Sequence, residues 1–91
     1  MYKIKYLSSA RKDIADIYKF IALDNPVIAL NVIEKIRKTI WYLSDFPFIW
    51  IDIENWLMKL VDTKYHYIIF YKINWSIIEI VSVFKNKNLI R

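Results

Sequence analysis

Hydrophobic and polar positions alternate at the start of the chain, take up a helical period from Ser8 to Leu43, and alternate again from Trp56 onward. Tyr2, Ile4 and Tyr6 interleave with Lys3 and Lys5, which predicts a half-buried strand ending near Leu7. Ser8 or Ser9 can cap the helix that follows, because a hydroxyl there accepts from a free amide of the first turn. Ala10, Ile14, Ile17, Tyr18 and Ile21 form one face of that helix, and Arg11, Lys12, Asp16 and Lys19 the other. Asn25-Pro26 restarts the helical period, with Asn as cap and Pro at a position whose missing donor costs nothing. Leu30, Ile33, Ile36, Ile40 and Leu43 then make a second amphipathic helix, flanked by Ala29 and Arg37, which Ser44-Asp45-Phe46-Pro47 stops. The short connection at 23–25 folds the two helices into an antiparallel hairpin.

The second half of the chain is rich in β-branched and aromatic residues. Phe48–Asn55 lacks periodicity and reads as an extended connection, Trp56–Val61 as a strand, and Asp62-Thr63-Lys64 as a turn. Tyr65–Phe84 reads as two strands joined at Asn74-Trp75-Ser76. Period 2 sets Tyr65, Tyr67, Ile69, Tyr71 and Ile73 against His66, Ile68, Phe70 and Lys72. In the second arm it sets Ile78, Ile80, Ser82 and Phe84 against Ile77, Glu79, Val81 and Val83. The expected order is β-α-α-β-β-β. It predicts one α+β domain over 1–91, with a helical hairpin packed on one face of a small, largely antiparallel four-stranded sheet. Neither face of the last two strands is polar enough for water alone. If the helices cover one face, the other is left as an exposed apolar patch, the mark of a binding surface.

Composition narrows the chemistry. There is no Cys, hence no disulfide framework or thiolate metal site, and a single His rules out a His-rich one, so neither metal nor cofactor is expected. A small domain without such staples suits the reducing cytoplasm. The start of the chain lacks an apolar run of signal-peptide length. Lys72, Glu79 and the Asn74-Trp75-Ser76 turn interrupt the most apolar window, which argues against a membrane span. The net charge of +5 is uneven: residues 1–12 carry +4, residues 85–91 carry +3, and the middle is slightly acidic. Basic ends on a near-neutral body suit a nucleic-acid surface or an acidic protein partner, or keep a greasy domain in solution.

Several short patterns in order resemble the RelE/ParE superfamily, the toxins of bacterial type II toxin–antitoxin pairs. Ser9-Ala10-x-x-Asp13-Ile14-x-x-Ile17-Tyr18-x-x-Ile21 is similar to the first helix of ParE-like toxins. Asn25-Pro26-x-x-Ala29 and Leu43-x-x-x-Pro47 are similar to the bounds of the second. Tyr65–Ile73 looks like the central strand, and Ile78-x-Ile80-Val81-x-Val83-Phe84 like the last. The chain departs from the pattern at Met58, where ParE-like members usually carry Arg, with Lys59 beside it. It departs again after the last strand: Lys85 stands at the usual His position, and Lys87 and Asn88 where an Arg would fall. These exchanges keep positive charge but lose the imidazole and the guanidinium fork.

The resemblance implies two activities and a shared partner. RelE-like members are implied to cut messenger RNA in the ribosome, with the RNA's own 2′-hydroxyl as nucleophile. That chemistry needs cations at the phosphate and a proton-moving group, for which Lys59, Lys64, His66, Lys85 and Lys87 are the candidates. The family's tyrosine beyond the last strand has no counterpart after Phe84. ParE-like members are implied to inhibit DNA gyrase by protein–protein contact, which needs a surface rather than a proton-transfer set. A cognate antitoxin is implied to wrap the toxin in a hetero-oligomer. Its expected seat is the exposed sheet face: Ile68, Phe70, Val81 and Val83 for apolar contact, ringed by Lys59, Lys72 and Lys85. A decayed toxin that keeps only antitoxin binding is the third alternative.

Overall fold

The computed structural model describes residues 2–47, 52–54 and 57–85, with 52–54 described in their backbone only. Strand β1 (Lys3–Tyr6) leads into helix α1 (Ser8–Ala22) and helix α2 (Pro26–Trp41), which ends in a single 3-10 turn at Tyr42–Ser44. Strands β2 (Asp52–Glu54), β3 (Leu57–Asp62), β4 (Tyr67–Asn74) and β5 (Ile77–Lys85) follow. The sheet order is β1-β5-β4-β3-β2, antiparallel except for the parallel β1–β5 pair. The expected α+β architecture is present, with one addition. Part of the stretch read as a connection pairs with β3 as the short edge strand β2, Asp52 opposite Met58.

Asn25 caps α2 as its sequence suggests: its side-chain oxygen accepts from the Ile28 N–H at 3.1 Å, and Pro26 fills the first helical position. α1 starts differently. Leu7 occupies the capping position without a side-chain bond, and the Ser9 hydroxyl donates instead to the Val81 carbonyl on β5. Asp13, one turn on, accepts from the Val83 N–H at 3.0 Å.

Those two bonds meet a bulge. Between Phe70 and Tyr71 the β4–β5 register slips: Phe70 faces Ser82 and Tyr71 faces Ile80, leaving Val81 without an opposite number. A bulge disrupts the ladder locally, and α1 serves the backbone groups on either side of the slip. The slip also exchanges the faces of β5. Ile78, Ile80 and Val83 point to the helices, while Ser82 and Phe84 lie opposite Phe70 and Ile68 on the far side. Strict alternation put Val83 with the exposed set, and the bulge overturns that: Val83 is 1% exposed and part of the core.

The core lies between the helices and the inner sheet face. Ala10, Ile14, Val32, Ile36, Ile40 and Leu43 meet Met58, Leu60, Tyr67, Ile69, Tyr71, Ile78, Ile80 and Val83. The buried stripe of α2 runs through Ala29 and Val32 rather than Leu30, which is mostly exposed. The turn before β4 is longer than Asp62-Thr63-Lys64, extending over 63–66 so that β4 begins at Tyr67.

Candidate functional site

The outer sheet face is built by register. Lys59 lies opposite Phe70, Val61 opposite Ile68, and Lys72 between Leu57 and Glu79. The Phe70 and Phe84 rings pack at 5.4 Å between centroids, tilted by 34°. Ile68 is buried without belonging to the core cluster, which fits its place between Val61 and Phe84 on the far side of the sheet. So β4 divides as its alternation predicts. Of the expected seat, Lys59, Ile68, Phe70 and Lys72 share this face, and half-buried Val81 sits at the bulge. Val83 does not share it, and neither does Lys85. Lys85 pairs with Tyr67, its ammonium lies 5.0 Å from that ring's centroid, and it donates to the Tyr65 carbonyl at 2.6 Å. It belongs to the inner side and braces the turn.

The residues considered for RNA cleavage are only partly assembled. Lys64, His66 and Lys85 gather around the 63–66 turn, Lys59 stands apart on the outer face, and Lys87 lies outside the described residues. The turn is organised by Asp62, whose fully buried carboxylate accepts from the Lys64 and Tyr65 amides and pairs with Lys35 at 3.3 Å. The His66 N–H donates to the Asp62 carbonyl, and His66 itself has φ 62°. Tyr67 and Tyr71 make poor proton carriers at neutral pH. Burial, and then the Asp62 charge, push the Tyr67 hydroxyl above its ordinary 10. Burial alone pushes Tyr71, which donates to the Pro47 carbonyl at 3.0 Å, up to about 12. Among the described residues the arrangement supplies cations that brace the turn.

A second surface was not foreseen from the sequence. A groove of about 1160 Å³ runs between the end of β1 and the two helices. Tyr6, Leu7, Ile14, Tyr18, Leu30 and Ile33 give it an apolar lining, and Lys5, Arg11, Lys19 and Arg37 give it cations. Among the described residues no acid lines it. Burial raises the Tyr6 hydroxyl, against an opposing pull from Arg37. Leu30 was read as core and Arg11 and Lys19 as solvent-facing, so only the packing of α1 beside α2 and β1 brings them together. The available signal was the stack Arg11, Ala15, Tyr18 facing Leu30, Ile33, Arg37 at helical spacing.

The family profile for the ParE toxin of the type II toxin–antitoxin system parDE matches residues 4–90. The chain belongs to the ParE toxin family. Among solved structures, a chain of the chromosomal ParDE toxin–antitoxin system from P. aeruginosa superposes with a TM-score of 0.83. That pair is 16% identical and covers 96% of this chain and 98% of the other, a likeness of fold. No curated protein matches. Among the described residues the outer sheet face and the groove both combine apolar surface with cations. Among the described residues no helix is long and apolar enough to cross a membrane.

Proposed function

We propose that this ParE-family chain is a toxin that inhibits DNA gyrase by protein–protein contact, without catalysis, and is silenced by a cognate antitoxin. The observation that carries the antitoxin part of this reading is the groove, an apolar floor bordered by four cations and, among the described residues, no acid; the gyrase part is supported by membership of the ParE toxin family. It complements a segment with apolar and acidic side chains, and the outer face adds Ile68, Phe70, Lys59 and Lys72, the last with Glu79 opposite it. Apolar burial supplies about 25 cal/mol per Å² before the costs of association, and the cations set approach and register. The antitoxin therefore occupies the groove and the outer sheet face together, with Val81 at the margin. Both partners act in the cytoplasm.

Induced expression tests the reading. Gyrase inhibition gives growth arrest with loss of supercoiling and a DNA-damage response while messages stay intact. Messages cleaved in translating ribosomes would replace this reading with an endonuclease. Soluble protein without growth arrest would leave a chain that only binds its antitoxin. A small acidic reading frame beside the gene, whose product rescues growth and co-purifies with the chain, is the expected partner.

A further inference from the structure

The aromatic end of the molecule belongs to neither surface described above. The Tyr2 N–H donates to the Ser44 carbonyl and the adjacent Lys3 N–H to the Ser76 carbonyl, each at 3.0 Å. Two neighbouring residues thus bridge the 3-10 turn after α2 and the β4–β5 turn, bringing them to on the order of 10 Å of each other. Four exposed aromatic residues lie on or beside those two turns: Trp41 at 66%, Tyr42 at 55%, Phe46 at 48% and Trp75 at 92%. Tyr42 and Phe46 pack ring against ring at 4.8 Å, forming a preset ledge. Trp75 stands at the tip of a two-residue turn with φ 60°, a conformation a bulky residue adopts at a cost of about 1–2 kcal/mol. An indole that is both strained and in water contributes little to the fold that holds it.

We infer that this end is the contact by which the toxin grips its protein target, with Trp41 and Trp75 as anchors in an apolar hollow of that partner. The inference rests on the reading of the chain as a gyrase-directed toxin. Size and charge select the occupant. By the usual area of an aromatic side chain the four expose on the order of 500 Å² together. A stable homodimer needs about 800 Å² from each copy, so a second copy is not held by this patch. The area does suit the anchoring centre of a heterologous interface, where Trp and Tyr dominate the binding energy. Asp45, Asn74 and Ser76 flank the aromatics together with Lys3 and, one turn before Trp41, Lys38, a rim of mixed charge where the groove has four cations and no acid. An acidic antitoxin segment is matched by the groove, and a neutral apolar hollow by this end.

Trp75→Asn separates the roles, because Asn tolerates positive φ and removes the indole without straining the turn. The single variant and Trp41→Ser/Trp75→Asn are compared with the wild-type chain. The readouts are inhibition of purified DNA gyrase supercoiling, affinity for the co-expressed antitoxin, thermal midpoint and sedimentation. The inference expects the double variant to need at least about tenfold more protein for half-inhibition and the single variant about threefold, with antitoxin affinity and folding kept. If the double variant does not fold, the single variant carries the comparison. Wild-type inhibition by a folded variant would overturn the inference and leave the gyrase reading intact. A fall in antitoxin affinity equal to that in inhibition, or a wild-type dimer that the variant abolishes, would assign the end to those partners and overturn it. A wild-type chain that spares gyrase altogether would remove the reading and the inference together.

Discussion

Two turns close the ends of β4, and each holds a bulky residue in the left-handed backbone region, in a chain without glycine. At the first, His66 sits within a web: the buried Asp62 carboxylate takes two amides and Lys35, and Lys85 holds the Tyr65 carbonyl. At the second, Trp75 has a backbone tie from Lys3 to Ser76 and an indole almost wholly in solvent. The same torsion is paid for locally in one turn and not in the other. The first turn is there to hold the fold. The second presents a side chain.

Breaking the first turn should therefore cost most. Asp62→Ala leaves two amides and a lysine without their buried acceptor and is expected to lose about 3 kcal/mol or more, read from urea unfolding. A loss under about 1 kcal/mol would mean the two turns are held alike. Next is the anchor beneath the aromatic end, where the Tyr71 hydroxyl ties β4 to Pro47. Tyr71→Phe is expected to cost about 1–2 kcal/mol by leaving that carbonyl unmatched. The same residue gives a pH signature. The unfolded phenol ionises near 10 and the folded one at about 12, so the folded state holds the proton more tightly. Its contribution is whole below pH 10 and is lost as pH rises to 12. Chemical denaturation across that range should show the slope, and Tyr71→Phe should flatten it.

Smaller effects sharpen the contrast. Phe70→Asp on the outer face is expected to cost at most about 1 kcal/mol of stability, while weakening antitoxin capture about tenfold or more by titration. If the domain unfolds instead, that face is structural. Smallest is an exchange at the turns themselves. Trp75→Asn should raise stability by up to about 1 kcal/mol, and His66→Asn should change it little, since relief of φ is offset by lost packing of a half-buried ring. Equal gains at both positions, measured by thermal unfolding, would erase the distinction.

How much of this was readable in the chain depends on how local its cause is. The Asn25-Pro26 cap and the alternation of β4 depend on neighbours in sequence, and both held. Val83 and Lys85 were misplaced because one bulge at Val81 reverses every later position of β5, and nothing within the strand marks it. The mark is on α1, where Ser9 and Asp13 are spaced to meet the displaced backbone. These residues carried the family likeness before their task was visible. Leu30 was taken for core because helical period alone cannot tell a stripe centred on Ala29 from one a residue along. The groove left only the helical spacing of Arg11, Ala15 and Tyr18 and of Leu30, Ile33 and Arg37 as a trace, since its walls come from β1, α1 and α2 and exist only once these pack.

The parallel pair of β1 with β5 has a further effect, on the order in which the chain can fold. β1 is made first, yet Lys3–Tyr6 find their partners in Ile77–Ile80, near the far end of the chain. The helical hairpin closes through neighbours and can form early, whereas this edge must wait while a long loop is drawn shut. The bridge from Tyr2 and Lys3 to Ser44 and Ser76 waits with it. The aromatic end therefore cannot exist until β5 has been made. The grip we propose for that end is, on that account, a late product of folding, set only once β1 has found β5.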